Sequence, residues 1–323
     1  MTRPRSHNCA ATALSKRKLA RPAFCTLRLS GGVKGRRALA MVMLLWGLAV
    51  WPAAQAKETL VWLLRDLPPL MIFDGPRKGQ GVIDQLLPEL IAGMPQYSHS
   101  VLHVNRARAL QMLSEPSFTC DAALNWSKER EQWIVFSMPV FRAMSNGLAA
   151  RRADHALLAP FIKNGEIDLA ALLASGREKL GVIAERNYGD YLDGLLKQAP
   201  ADALTVHYGN DALGSLLQMQ RLGRVQVLLG YRAEIRYQAQ QQGIADDELQ
   251  FYPIFGTGKY LSGYIGCSDT PQGRQAIVEI NQLLRAMPTQ RLSEAYAAWL
   301  DPQSRDDYLE AAKAFFLEQQ QRP

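Results

Sequence analysis

Short apolar runs alternate with segments of helical periodicity along most of the chain, and this alternation limits its fold more than any other feature. Thr59–Leu64 has the composition of a buried strand, and the segment opened by Gly81 has apolar residues at positions 83, 86, 87, 90 and 91, which is helical spacing. The same order of strand and helix restarts after Phe141. The alternation predicts an α/β fold built from β-α-β units.

The predicted elements form two similar halves, followed by extended segments and helices. The apolar runs predict strands at residues 101–104, 120–124, 181–184, 204–208, 225–229, 251–254 and 260–267. Helical spacing predicts helices at residues 107–113, 189–197, 211–222, 234–241 and 271–287. Residues 308–317 are amphipathic and are expected to pack on the surface.

The first 56 residues differ from the rest in charge. They carry ten basic residues and no acidic one, so the remainder has 27 basic and 30 acidic residues although the whole chain has a formal charge of +7. An apolar run at residues 38–50, shorter than the ~20 residues of a membrane span, precedes Ala54-Gln55-Ala56. This pattern predicts a cleavable secretory signal over residues 1–56, cleaved near Ala56 and Lys57. A retained membrane anchor is the alternative.

The charge and cysteine content of the predicted mature chain exclude several classes of function. Its mildly acidic balance gives no support to nucleic-acid binding. Cys120 and Cys267 are the cysteines that follow the leader, and in an oxidising compartment they allow one intramolecular pair. Structural zinc needs four Cys or His ligands, so two thiols alone predict no metal site.

Common catalytic motifs are absent from the sequence. It contains no H-E-x-x-H and no G-x-S-x-G, and Gly256-Thr257-Gly258-Lys259 lacks the upstream glycine and the following Ser or Thr of a P-loop. The histidines of the predicted mature chain are scattered. We therefore predict no enzyme and no cofactor.

A set of phrases, in their order along the chain, resembles a known family. They are LPPL, GQGVIDQLLPEL, DAALNWSKEREQWIVFSMPVF, LGVIAERNYGDYL, RLGRVQVLLGY, AIVEINQLLRAM and AYAAWL. The chain resembles the bacterial extracellular solute-binding proteins of family 3, the polar amino-acid type. The resemblance implies a two-lobed, type II periplasmic-binding-protein-like α/β fold with two crossover strands and a ligand in the cleft. It places residues 57–141 plus 258–323 in lobe 1 and residues 142–257 in lobe 2.

The resemblance also implies ligand residues near the end of the third predicted strand. Arg130 matches the family arginine that binds the ligand carboxylate, in the pattern Ser/Thr-x-x-Arg followed by Phe-Ser-x-Pro, and a planar guanidinium suits a carboxylate. Its alternative role is a solvated arginine in the first turn of a short helix. Ser127 fits the N-cap of a helix at this turn. Asn125 is expected to hydrogen-bond the ligand. Trp126 either stacks on the ligand or fills the lobe core.

Further candidates come from both predicted lobes. One of Arg106 and Arg108 is expected to be solvated, and Arg106 is the candidate ligand residue; if either joins Arg130, a dicarboxylate or otherwise strongly anionic ligand is expected. Asn187 and Tyr188 lie in the turn before a predicted helix, where backbone amides attract anions. The family usually has Gly-Thr at this turn.

The sequence departs from the family at three positions, one of which, that of Tyr231, normally pairs with the ligand ammonium group. Gln226 and Tyr231 stand where acidic residues are expected, and Leu67 stands where an aromatic residue commonly stacks on the ligand. Tyr231 is nevertheless expected at the site. An ordinary α-amino acid ligand is therefore in doubt.

The function implied is that of a periplasmic solute-binding protein that captures a small carboxylate-bearing or other anionic ligand for an ABC-type uptake system. The alternatives are a ligand-sensing subunit of a signalling system and, on the same fold, a dehydratase-like enzyme. The expected partners are the ligand and an inner-membrane permease or receptor, without nucleic acid, and the chain is expected to be a monomer. The resemblance also implies a Cys120–Cys267 disulfide.

Overall fold

The computed structural model describes residues 56–209 and 211–321, so the predicted leader lies outside the described residues except for Ala56. The described strands, in chain order, are β1 (Thr59–Leu64), β2 (Ser98–His103), β3 (Thr119–Leu124), β4 (Ile134–Phe136), β5 (Phe141–Met144), β6 (Asn146–Arg151), β7 (Ile162–Lys163), β8 (Glu166–Ile167), β9 (Leu180–Ile183), β10 (Leu204–His207), β11 (Val227–Tyr231), β12 (Leu249–Pro253) and β13 (Tyr260–Ser268).

Helices follow most of these strands. They are α1 (Val82–Gly93), α2 (Arg106–Ser114), α3 (His155–Leu158), α4 (Leu169–Ser175), α5 (Asp190–Gln198), α6 (Ala212–Arg221), α7 (Arg232–Gln241), α8 (Pro271–Ala286), α9 (Thr289–Ala297) and α10 (Pro302–Gln321). None of the helices in the described part of the chain has both the length and the apolar character needed to cross a membrane.

The first sheet has the strand order β2-β1-β3-β13-β4, and β5 pairs with β13 beside this path. Strand β1 is parallel to both β2 and β3, whereas β13 runs antiparallel to β3. Leu60 and Trp62 of β1 are fully buried and share a core with Ile83 and Leu86 of α1. The helical spacing read from the sequence therefore marks the face of α1 that packs on this sheet.

The second sheet repeats this arrangement with the order β10-β9-β11-β6-β12. Strand β9 is parallel to β10 and β11, and β6 runs antiparallel to β11 and β12. Its cores include Leu148 of β6, Leu180 of β9 and Leu216 of α6. We call the first sheet with α1, α2 and α8–α10 the first lobe, and the second sheet with α3–α7 the second lobe.

The chain passes between the lobes twice. Residue 145 joins β5 to β6, and residues 254–259 join β12 to β13. Strands β5 and β13 are paired antiparallel at these crossings. Residues 308–317 belong to the longer helix α10, which buries Tyr308 and Ala312 in the first-lobe core and exposes Glu310 and Lys313, as expected of an amphipathic helix that packs on the surface.

Helix α10 also contacts the crossings themselves. Tyr308 Oη donates a 2.8 Å hydrogen bond to the carbonyl of Arg142 in β5, and the Arg142 guanidinium lies 4.5 Å from the ring centre of Phe315.

A disulfide joins Cys120 to Cys267, as the resemblance implied. The two residues are direct partners across the antiparallel pair of β3 and β13. The bond therefore ties the second crossing strand to the centre of the first sheet.

Candidate functional site

Strand ends of the first sheet place three polar side chains at one edge. Because β1, β2 and β3 are parallel, their carboxyl ends lie together, which is where α/β sheets bind ligands. Arg65 follows β1, Arg106 begins the helix that follows β2, and Asn125 follows β3. Arg130 begins a short 3₁₀ helix just beyond Asn125.

The second sheet contributes its own strand ends to the same space. Arg186 and Asn187 follow β9, Tyr231 ends β11, and Glu234 lies in the first turn of α7. Together the two edges enclose a cavity, here called the central cavity, lined by Arg65, Leu67, Pro68, Pro69, Leu70, Arg106, Ala123, Leu124, Asn125, Arg130, Phe141, Ala143, Arg186, Asn187, Tyr231, Ala233, Glu234, Leu261 and Tyr296.

The central cavity is small. The space open to the centre of a water-sized sphere is about 40 Å³, which is room for about three water molecules. Such a space fits a carboxylate-sized group. A larger ligand would extend beyond it.

Arg65, in the first-lobe wall, is paired within its own lobe. Its guanidinium donates from Nε to Asp121 Oδ2 at 2.8 Å and from Nη2 to Asp121 Oδ1 at 3.2 Å, and Nη2 also donates to the Ala123 carbonyl. Asp121 is fully buried and Arg65 is 4% exposed. Arg65 Nη1 is buried and has no hydrogen-bond partner among the described residues.

Arg186, in the second-lobe wall, is likewise paired within its lobe. Its Nη2 donates to Glu234 Oε2 at 2.5 Å, and the guanidinium lies 4.9 Å from the ring centre of Tyr231. Burial lowers the pKa of Arg186. Glu234, Tyr188 and Tyr231 together raise that pKa by more than burial lowers it, so the net shift is upward. Arg186 Nη1, like Arg65 Nη1, is buried without a partner in the described part of the chain.

Arg106 and Arg130 differ from these two because neither has a carboxylate within 4.0 Å among the described residues. Burial and the guanidinium of Arg65 lower the pKa of Arg130, whose Nη1 donates to the Asn125 carbonyl at 3.3 Å. Burial and the guanidinium groups of Arg65 and Arg186 lower the pKa of Arg106 to about 9. A guanidinium keeps its charge at neutral pH, so the cavity carries positive charge that its own side chains do not compensate.

The charge count around the cavity favours an anion. Arg65, Arg106, Arg130 and Arg186 stand against two carboxylates, Asp121 behind Arg65 and Glu234 in the lining. Charge-assisted hydrogen bonds from guanidinium to carboxylate or phosphate are roughly twice as strong as neutral ones. The arrangement is therefore suited to bind a small anionic group.

Asn125 connects the two lobes across the cavity. Its Nδ2 donates to the Asn187 carbonyl at 3.0 Å and to the Tyr231 hydroxyl at 2.8 Å. The Arg232 guanidinium of α7 lies 3.3 Å from the Asp301 carboxylate, just before α10, and makes a second contact between the lobes. The lobes are therefore closed on each other in this structure.

Two larger cavities share walls with the central one. The acidic cavity, of about 200 Å³ on the same measure, shares Arg65, Leu67, Pro68, Arg106 and Glu234 with it and adds Asp66, Glu185 and Asp211. The aromatic cavity, of about 330 Å³, shares Asn125, Asn187 and Leu261 and adds Trp126, Asn146, Tyr188, Tyr191, Tyr260 and Tyr264.

Comparison with known proteins identifies similar structures but no similar sequence. No family model matches the chain, and no curated protein matches it. A histidine kinase sensor domain with similarity to periplasmic binding proteins matches at 14% identity and a TM-score of 0.59, over 76% of this chain and 96% of that one. An amino acid ABC transporter substrate-binding protein from Streptococcus pneumoniae, bound to L-arginine, matches at 12% identity and a TM-score of 0.55, over 80% and 95%.

A third similar structure is the periplasmic VFT2 domain of Bordetella pertussis BvgS, at 12% identity and a TM-score of 0.54, over 82% of this chain and 98% of that one. These likenesses extend over nearly the whole of each matched structure. The chain has a type II periplasmic-binding-protein-like fold. In the two-lobed architecture, the central cavity lies where the strand ends of the two lobes meet.

The fold brings most of the predicted ligand residues together. Arg130, Asn125, Arg106, Asn187 and Tyr231 line the central cavity, and Arg108 is the exposed member of its pair. Ser127 accepts from the Arg130 amide at 3.3 Å, as a capping residue does. Arg130 itself is 8% exposed, so the alternative of a solvated arginine at this position is wrong.

The structure does not place Trp126 and Tyr188 in the central cavity. Both line the aromatic cavity, where Trp126 is 42% exposed and Tyr188 is buried with its hydroxyl accepting from the Ile183 amide. The turn before α5 also offers fewer free amides than predicted. Asp193 accepts from the Tyr188 amide and the Asn187 side chain accepts from the Gly189 amide.

Gln226 lies away from all three cavities. Its side chain accepts from the Lys179 amide and donates to the Gly223 carbonyl, so it serves the turn before β11. An acidic residue nevertheless reaches the central cavity three positions after Tyr231, because Glu234 points inward from the first turn of α7. The presence of Tyr231 in place of an acidic residue therefore does not leave this segment without a carboxylate at the site.

Sequence reasoning also missed Arg65 and Arg186. A charged residue directly after a strand as apolar as β1 was an available signal for Arg65. Arg186 had no such signal, because it stands at a turn where the family resemblance supplied a different residue type. In residues 56–209 and 211–321, no group of three or more His, Cys, Asp or Glu side chains is arranged to hold a metal ion.

Proposed function

We propose that this chain is an exported solute-binding protein that captures a small anionic ligand, with a carboxylate as the favoured group, in the cleft between its lobes. The observation that carries the proposal is a pair of arginines, the half-buried Arg106 and the buried Arg130, that line the central cavity without a carboxylate partner among the described residues. A bound anion would supply the missing charge.

The binding groups divide between the lobes. Arg130 and Arg106 of the first lobe would bind the anion directly, and the buried Nη1 atoms of Arg65 and Arg186 are further free donors. A hydrogen bond to a charged group contributes about 1.5–3 kcal/mol. The low exposure of Arg65, Arg130 and Arg186 strengthens such bonds because water competes less for them.

Closure of the lobes would follow binding. The two crossings pair as β5 and β13, which is the arrangement expected of a hinge between two rigid sheets. Asn125 then joins the lobes through Asn187 and Tyr231. These contacts support a closed form that encloses the ligand.

Uptake is the favoured role, in which a periplasmic, monomeric binding protein delivers its ligand to an inner-membrane ABC permease. The Streptococcus pneumoniae transporter protein supports this role, and its bound L-arginine carries a carboxylate. The histidine kinase sensor domain and BvgS VFT2 support a second candidate, a sensing subunit that uses the same cleft. The matched proteins are binding proteins and sensor domains, which supports binding rather than dehydratase-like catalysis.

Native mass spectrometry of freshly purified Lys57–Pro323 tests the proposal. We expect a bound small molecule that is lost on denaturation and that carries an acidic group. Protein purified without such a molecule should be stabilised against heat by at least one acid in a panel of mono- and dicarboxylates and phosphates. Absence of both a bound acid and any stabilisation would contradict the proposal.

A further inference from the structure

The central cavity is too small for most metabolites that carry an anionic group. Its 40 Å³ accommodates about three waters, whereas the aromatic cavity beside it has about 330 Å³ and shares the Asn125, Asn187 and Leu261 walls. A ligand whose anion lies against Arg130 must therefore extend into a neighbouring cavity.

The walls of the aromatic cavity suit a flat ring. Trp126 of the first lobe and Tyr191 of the second both line it, and both are unusually exposed for aromatic side chains, at 42% and 47%. Tyr264 and Tyr260 line it too. Aromatic rings pack on one another in stacked or edge-to-face arrangements worth more than the area they bury.

The position of Tyr191 is fixed by its neighbour. A Cβ atom at Gly256 would lie 2.9 Å from the Tyr191 ring, so this ring packs directly on the backbone of the loop that leads to β13. Gly256 also has a positive φ of 83°, a conformation that glycine adopts readily. The loop therefore holds Tyr191 at the cavity wall.

A buried polar atom in the same wall has no partner. Asn146 is 3% exposed, and its Oδ1 accepts no hydrogen bond within the described residues. Buried polar atoms are usually hydrogen-bonded, so this acceptor indicates a donor that comes with the ligand. A hydroxyl or N–H on a ring would supply it.

We infer that the aromatic cavity is a second subsite, which holds a planar ring with a hydrogen-bond donor while the ligand's anionic group lies in the central cavity. The inference rests on the proposed function and adds the ligand class: an aromatic or heteroaromatic acid. Trp126 and Tyr191 come from different lobes, so the ring would contact both lobes in the closed form.

Calorimetric titration with matched acids tests the subsite. The probes are acetate, phenylacetate, 4-hydroxyphenylacetate and indole-3-acetate, added to wild type and to Trp126→Ala, Tyr191→Ala and Phe255→Ala. Phe255 is an exposed aromatic outside the aromatic cavity and serves as the control. We expect the ring acids to bind more tightly than acetate, and those with a donor to bind most tightly.

Trp126→Ala and Tyr191→Ala should each weaken the binding of ring acids about two- to tenfold and leave the affinity for acetate unchanged. Phe255→Ala should change neither affinity. Ring acids that bind no better than acetate, or that are unaffected by both substitutions, would overturn the subsite and leave the proposed function standing. If no acid bound, acetate included, both the subsite and the proposed function would be contradicted.

Discussion

The two walls of the central cavity carry different charge. The second-lobe wall contains Arg186, whose charge is balanced by Glu234 of the same lobe. The first-lobe wall contains Arg65, balanced by Asp121, but also Arg106 and Arg130, which have no carboxylate partner among the described residues. The difference indicates that the first lobe supplies the uncompensated positive charge that would bind the anion, while the second lobe closes over it with a wall whose charges are balanced.

The largest effect is expected from Glu234→Ala, which would leave an arginine without a carboxylate partner in the second-lobe wall, as in the first-lobe wall. Glu234→Ala leaves Arg186 buried and unpaired, which should lower the free energy of unfolding by about 3–5 kcal/mol. Urea denaturation measures the change. Asp246→Ala is the matched control, because it removes the partner of Arg236 in a more exposed pair and should cost less than about 1 kcal/mol.

Replacing the whole buried pair gives a second check on this prediction. A double variant, Arg186→Met with Glu234→Met, should recover much of the lost stability because no uncompensated charge remains. Equal costs for Glu234→Ala and Asp246→Ala would show that the second wall does not depend on its internal pair.

Arg130→Ala should separate binding from stability. Loss of one charged hydrogen bond, about 1.5–3 kcal/mol, predicts at least a tenfold loss of affinity for a bound carboxylate. The ligand-free protein should be as stable as wild type or more stable, because a buried charge without a carboxylate partner has been removed. Calorimetric titration and urea denaturation measure the two quantities.

Lys128→Ala is the control for charge at this turn, since Lys128 is exposed two residues before Arg130. It should leave both affinity and stability unchanged. If Arg130→Ala destabilised the ligand-free protein and left binding intact, Arg130 would be a structural residue.

Arg106→Gln should reduce the preference for doubly charged ligands. With two arginines unpaired, wild type is expected to bind succinate more tightly than acetate. The variant should lose up to about tenfold in succinate affinity and much less in acetate affinity. Arg108→Gln, in the same turn of α2 but exposed, should change neither, and an identical effect of the two variants would refute a role for Arg106.

The smallest expected effect concerns Asp66 in the adjoining acidic cavity. Burial raises its pKa, and the carboxylates of Asp74, Asp211 and Glu234 add to this rise. Below the pKa of Asp66 in the unfolded chain, about 3.9, the carboxyl is protonated in both states and does not change the free energy of unfolding. As pH rises through the raised pKa of the folded state, the buried charge lowers the free energy of unfolding.

Asp66→Asn should therefore stabilise the protein slightly at pH 7 and less at pH 4. Solvent reaches Asp66, which keeps the gain small. Thermal unfolding at the two pH values measures it. Asp202→Asn, on the surface outside the cavities, should show no such pH dependence, and a gain for Asp66→Asn that is equal at both pH values would contradict the assignment.

Much of the fold could be predicted from the sequence because its signals are local. The apolar run of β1 matches its observed bounds, and the predicted helix at residues 211–222 is observed as Ala212–Arg221. Strands β5 and β6 were not predicted, since the pattern around residues 141–151 has no clear alternation and is interrupted by Ser145-Asn146-Gly147, which is typical of a turn. Their pairing depends on β13 and β11, which are distant in the sequence.

The site was predictable only where a residue stands at a recognisable strand end or motif. Arg130 and Asn125 met that condition, and the structure places both in the central cavity. Glu234 did not, because only the direction of the first turn of α7 decides that it reaches the cavity. Trp126 was left open between stacking and core packing, and its place in a separate cavity depends on the approach of the second lobe.

Binding of an acid and of its primary amide tests the central claim most directly. The pair differs by one negative charge with nearly the same shape, so the comparison isolates the contribution of the unpaired arginines. Calorimetric titration of wild type should show the acid found by native mass spectrometry, or the best acid of the panel, binding at least tenfold more tightly than its amide. Equal affinities for acid and amide would contradict the account.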